Sequence, residues 1–185
     1  MIVKRDLDFY RAPPPPGRSR ESTIRLDADG VFHHEDETFA HAKLRDAMHT
    51  WITRHPDNDR FILDNGYDWT YFTVEDVPYF VRHMAEFENS VLLVLSDGSR
   101  EELVPEDTYI GPNDALYTMV KRPLAPASAA AKDVDASKGP YWAKFSRHAQ
   151  TQLAPLLTPA TEGDVDAAIR VGNRIVPIGK RDTFK

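Results

Sequence analysis

The stretch RFILDNGYDWTYFTV, residues 60–74, decides the reading of the fold. Asn-Gly tolerates the positive φ of a tight turn, and apolar and aromatic residues flank it on both sides. Strands are therefore expected from Arg60 to Asp64 and from Asp68 to Val74, around Asn65-Gly66. Trp69, Tyr71 and Phe72 supply the aromatic bulk that suits a pleated surface.

The same signal recurs on either side. Ser22 to Leu26 and Val31 to His33 flank Asp27-Ala28-Asp29-Gly30. Ser90 to Leu95 and Ser99 to Val104 flank Asp97-Gly98. Pro78 interrupts the aromatic run, so a strand from Tyr79 to Ala85 starts afresh. Further strands are expected at Ala115 to Lys121 and Arg174 to Ile178.

Two segments carry helical periodicity. From Thr38 to Arg54, the residues Ala40, Leu44, Ala47, Met48, Trp51 and Ile52 fall on one stripe, with Lys43, Asp46, His49 and Thr50 opposite. Pro56 and its polar neighbours end that helix. A second helix is expected from Tyr141 to Ala154, with Trp142, Phe145, Ala149 and Leu153 inward and Lys144, Arg147 and His148 outward. The expected class is α+β, with antiparallel sheets and two amphipathic helices in two structurally related halves.

Residues 1–20 hold the four prolines Pro13 to Pro16 and read as an extended arm. Such an arm serves as a stiff spacer or docks into a partner's aromatic groove. The two halves are then 21–86 and 87–185. Within the second, residues 122–139 are rich in Ala, Ser and Pro and read as a mobile loop.

The chain has 185 residues, enough for a core without staples, and no cysteine. Disulfides, thiolate metal sites and a cysteine nucleophile are excluded. The net charge of -6 argues against broad nucleic-acid binding. The longest strongly apolar run, Val91 to Leu95, is far short of a membrane helix, and the N-terminus lacks a signal-peptide core. A soluble, cytoplasmic protein is expected, with no membrane partner and no cofactor.

The segment Thr73-Val74-Glu75-Asp76-Val77-Pro78-Tyr79-Phe80 resembles the Val-Glu-Asp-Ala-Pro-Phe signature of a bacterial family, domain of unknown function family 1285. Phe61-Ile62-Leu63, Phe80-Val81 and Ala42-Lys43-Leu44-Arg45 are similar in placement to that family's elements. Ala143-Lys144-Phe145-Ser146-Arg147, followed by Leu153, is similar to its C-terminal helix segment. Asp64 to Asp68 departs from the Pro-x-Glu pattern usual before the signature. The resemblance implies an α+β fold with repeated motifs, leaves room for a signalling or ligand-binding role, and supplies no catalytic residue.

Several groups compete as a site. His33, His34 and Glu35, with Asp36, Glu37 and His41, have the atom types of a metal site. Neighbours on a strand face opposite ways, however, and a solvated acidic turn is the simpler reading. Residues 25–36 fit a calcium loop poorly, because Arg25 and Asp36 take its end positions. Glu75 and Asp76 offer paired carboxylates, against a plain turn-bracing role for Asp76. Lys144 and Arg147 suit an anion, against an ordinary solvated helix face. Trp69 and Tyr71 suit a pocket wall, against plain core.

Three functions follow from these groups. The first is a non-enzymatic binding or signalling module that holds a small ligand or a protein partner, using Trp69, Tyr71, Glu75, Asp76, Lys144 and Arg147. The second is a metal-dependent hydrolase built on His33 to Glu37. The third is an interaction scaffold that uses the proline arm.

Overall fold

The computed structural model describes residues 7–122, 139–159 and 167–184. Its class is α+β, with far more strand than helix.

The local turn chemistry forms the hairpins where the sequence places them. Strands β1 (Ile24–Leu26) and β2 (Phe32–His34) pair antiparallel. Asp27 closes their turn: its Oδ1 accepts from the Asp29 and Val31 amides at 3.0 and 2.8 Å. Gly30 there has φ +80, and a Cβ at that position would lie 2.8 Å from the Phe80 ring. Both the positive φ and the close approach require glycine.

Strand β3 (Glu37–Thr38) extends this sheet on one side. On the other, β7 (Thr73–Val74) lies parallel to β1, giving four strands. A three-stranded sheet holds β4 (Ile52–Arg54), β5 (Phe61–Asp64) and β6 (Trp69–Tyr71). Its β5–β6 turn is held by Asn65, whose Oδ1 accepts from the amides of Tyr67 and Asp68, both at 2.9 Å.

The largest sheet has nine strands. They are β8 (Tyr79–Glu86), β9 (Val91–Leu95), β10 (Arg100–Glu102), β11 (Thr108–Ile110), β12 (Leu116–Val120), β13 (Tyr141–Phe145), β14 (Leu157–Pro159), β15 (Ala167–Val171) and β16 (Arg174–Lys180). Their order is β10-β9-β8-β13-β12-β11-β16-β15-β14. Most pairs are antiparallel, but β13 runs parallel to β8, and β11 parallel to β16. A boundary at 86/87 falls between β8 and β9, which are paired partners.

Both expected helices are corrected. The first, α2, spans Ala42–Thr50, and the ends of the expected 38–54 segment are strands β3 and β4. His49 is buried rather than on a solvent face, while Leu44 is exposed. The second, α3, spans only Arg147–Leu153. Ser146 caps it, its hydroxyl accepting from the Ala149 amide at 3.2 Å. Residues 141–145 are a central strand instead, so Lys144 sits on a strand and not on a helix. The stripe misled because Tyr141, Trp142, Ala143 and Phe145 are all buried. A strand covered on both faces loses its alternation, and i, i+3 coincidences then imitate a helix.

One core joins the layers. Leu26 and Phe32 of the four-stranded sheet, Met48 of α2, Val81, Leu93 and Phe145 of the nine-stranded sheet, and Leu153 of α3 belong to one cluster. Each fully buried side chain of this size contributes roughly 1.5–3 kcal/mol. A smaller cluster lies on the three-stranded sheet, where Ile62, Trp69 and Tyr71 pack against Phe9 and Tyr10. Phe9 and Tyr10 sit on a short helix, α1 (Leu7–Arg11). Residues 7–20 are therefore not simply a free extended arm. The segment expected as a mobile loop lies, apart from its ends, outside the described residues. Among the described residues no helix is long and apolar enough to cross a membrane.

Candidate functional site

A cleft of about 600 Å³ opens between the β1–β2 turn, α2, the middle of the nine-stranded sheet and the start of α3. Each element brings its residues for a local reason. The β1–β2 turn contributes Ala28, Asp29 and Gly30. From α2 come Arg45, Asp46 and His49; residues four apart share a helix face, which aligns Arg45 with His49. Strand β8 contributes Phe80 and Arg82, and β13 and its exit contribute Lys144, Phe145, Ser146 and Arg147.

Arg82 arrives through an irregularity. Val81 pairs with Leu95 and His83 with Val94, so the β8–β9 register shifts at Arg82. A bulge of this kind leaves one residue unpaired and re-aims its side chain.

Lys144 is fixed from behind. Its Nζ donates to Asp76 Oδ2 at 3.0 Å and to the Ala28 carbonyl at 2.9 Å. The Tyr117 hydroxyl donates to the same Asp76 oxygen at 2.9 Å. Burial, and then the Asp76 carboxylate, push the Tyr117 hydroxyl above its ordinary range, so it stays protonated and a donor. Tyr117 is itself held by stacking on Phe184, with ring centroids 3.8 Å apart. Asp76 thus anchors side chains from two strands, rather than bracing the turn into Pro78 through backbone amides.

His49 forms part of the cleft wall and is only 2% exposed. Its Nδ1 has no hydrogen-bond partner among the described residues. Burial, helped by the nearby Arg82 charge, lowers its pKa to about 4, so the ring is neutral at neutral pH.

The other cations differ in how far they are neutralised. Arg82 lies 3.8 Å from Asp46. Arg45 donates to the Phe39 carbonyl at 2.6 Å. Neither Arg45 nor Arg147 has an ion-pair partner among the described residues.

The structure divides the residues singled out from sequence. Asp76, Lys144 and Arg147 come together at or behind the cleft. Glu75 takes a different partner from its neighbour, accepting from Arg25 Nη1 at 2.8 Å. Trp69 and Tyr71 belong to the small sheet, where Arg20 lies 4.4 Å over the Trp69 ring and Arg60 lies 3.8 Å over Tyr71. The two rings meet edge to face with centroids 5.1 Å apart, and His55 packs against both, 4.9 Å from Trp69 and 5.7 Å from Tyr71. Trp69 also borders a second, mainly apolar cavity of about 310 Å³, together with Pro15, Leu44, Met48 and Trp51.

His33, His34 and Glu35 do not converge. His33 Nε2 pairs with Asp27 Oδ2 at 2.7 Å, while His34 and Glu35 face solvent. Among the described residues no group of three or more His, Asp or Glu is placed to hold a metal. The hydrolase arrangement needs such a convergence and lacks it here. Arg45 and Arg82 were not singled out as site residues from sequence, and His49 was placed on the outward face of its helix. The four-residue spacing of Arg45 and His49 was the one available signal, and nothing local marks the bulge at Arg82.

No family model matches the sequence, and no curated protein matches it. Two solved structures match this chain. A DUF1285 family protein from Silicibacter pomeroyi DSS-3 has 14% sequence identity and a TM-score of 0.54, with 91% of each chain covered. A DUF1285 family protein from Shewanella baltica OS155 also has 14% identity, with a TM-score of 0.45, covering 70% of this chain and 87% of its own. The fold-level likeness rests on the first of these, and the resemblance seen around Thr73 to Phe80 is matched by the fold of a DUF1285 family protein.

Proposed function

We propose that the protein is a non-enzymatic binding module that holds a small ligand in the cleft between the β1–β2 turn, α2, β8 and β13. The observation that carries this reading is the cleft itself. At about 600 Å³ it lies within the range of small-molecule sites, and side chains from four separate elements converge on it. Its wall mixes the aromatic rings of Phe80 and Phe145 with polar groups that fix an orientation.

The hydroxyls of the cleft have structural duties. Ser96 accepts from the Phe80 amide at 3.2 Å, and Ser146 caps α3. Among the described residues neither hydroxyl bonds to a histidine or a carboxylate, and His49 in the cleft wall has its pKa lowered to about 4 by burial.

A thermal-shift screen against common metabolites tests the reading, since a ligand held at a hundredfold excess over Kd adds about 2.7 kcal/mol of apparent stability. The expected result is a saturable rise with one compound class, abolished by Ala115→Trp, which sets a bulky ring in the cleft wall. A rise that survives Ala115→Trp would place the ligand elsewhere and refute this site.

A further inference from the structure

Building on that reading, we propose that the ligand carries a phosphate monoester group, gripped by the guanidinium groups of Arg45, Arg82 and Arg147. The chain as a whole is acidic, with a net charge of -6, yet this one concavity is lined by four cations against Asp29 and Asp46. Positive charge in a recess with low-dielectric walls focuses the field on whatever enters.

The four cations are not equivalent. Lys144 is spent on Asp76 and the Ala28 carbonyl. Arg82 is loosely matched by Asp46 at 3.8 Å. Arg45 uses Nη1 on the Phe39 carbonyl and has no carboxylate partner among the described residues. The Arg147 guanidinium has no partner at all among them. Guanidinium donors are thus left over in a cleft where Lys144 is already held rigid.

Three forks are more than one carboxylate can use. A dianionic phosphoryl group has three terminal oxygens and accepts from several guanidinium forks at once. The cleft is much larger than a phosphate ion, and Phe80, Phe145 and Val31 give its remaining wall an apolar character suited to an organic remainder. The bulge at Arg82 is a second, independent sign that side-chain direction is adjusted here, because bulges commonly re-aim residues at sites.

The test is an amide NMR titration at constant ionic strength, with inorganic phosphate and phenyl phosphate as probes and benzoate and phenol as controls. Saturable shifts with the phosphates at Gly30, Arg82, Ser146 and Arg147, at least about tenfold tighter than with benzoate, are expected. Arg147→Ala should weaken them by about tenfold or more, and Arg147→Lys by less. Arg147 is exposed, so both variants should fold.

Equal response to benzoate or phenol, or indifference to Arg147→Ala, overturns the phosphate assignment. If the phosphates fail while an uncharged compound from the metabolite screen shifts these same amides, the assignment falls and the binding reading stands. Silence from the phosphates and from every screened compound sinks both.

Discussion

The Lys144 ammonium and the Asp76 carboxylate lie 3.0 Å apart across 68 residues of sequence. Each side chain is about one-fifth exposed, so the pair is screened less than a surface pair. It ties the segment before β8 to the strand β13 and fixes Lys144 in the wall of the cleft.

Asp76→Asn should lower stability by about 1–2 kcal/mol, because Lys144 keeps its charge and loses its counter-ion. Lys144→Met should cost a similar amount. Urea unfolding of both single variants and the double variant measures the coupling, expected at roughly 0.5–1.5 kcal/mol. Strictly additive losses would show that the contact contributes nothing.

Stability should also depend on pH through His49. Its folded pKa is lowered to about 4 from 6.5, so the unfolded chain binds the extra proton between those values. Stability is therefore fully present above about pH 6.5 and falls as pH drops toward about 4, by at most about 1.4 kcal/mol per pH unit for one proton. Denaturant midpoints of wild type and His49→Gln across that window check the sign. An equally steep loss in the variant would assign the proton to another group.

Two glycines of equal φ separate strain from crowding. Gly30 and Gly98 both have φ +80, but an added Cβ meets Phe80 at 2.8 Å in the first and nothing within 4 Å in the second. Gly98→Ala should cost about 1–2 kcal/mol from the left-handed backbone alone. Gly30→Ala should cost at least about 1 kcal/mol more from overpacking. Equal melting temperatures for the two variants would contradict the close approach to Phe80.

The N-terminal segment should carry stability of its own. Tyr10 packs on the small sheet, its ring 6.5 Å from Trp69 and its hydroxyl donating to Asp64 Oδ2 at 3.1 Å. Arg20 covers Trp69 and pairs with Asp68. Tyr10→Ala should therefore lower stability by about 1–3 kcal/mol. A melting temperature unchanged by Tyr10→Ala would restore the picture of a detached arm.

The hairpins were legible because their determinants are local. Asn65-Gly66, Asp27 to Gly30 and Asp97-Gly98 each pair a side-chain acceptor with a residue free to take positive φ, and those preferences act within a few residues. The existence of α2 was legible from its period, and Ser146 followed by Arg147 to Leu153 held a capping signal that the aromatic stripe of 141–145 obscured. Of the candidate site, the sequence offered Asp76, Lys144 and Arg147 as chemistry without a meeting place. Trp69 and Tyr71 were recognisable as aromatic surface, but not as the floor under Phe9 and Tyr10.

By itself, then, the sequence determined the α+β class and the turns, since these follow from short-range φ preferences and hydrophobic period. Only the tertiary structure decided that residues 141–145 are a strand, because the deciding factor is hydrogen bonding to β8 and β12 on either side. It also decided the cleft. Arg45, Arg82 and Arg147 come from one helix, a bulged strand and the first turn of a second helix, and only the packing of those elements on one core brings their charges to one place.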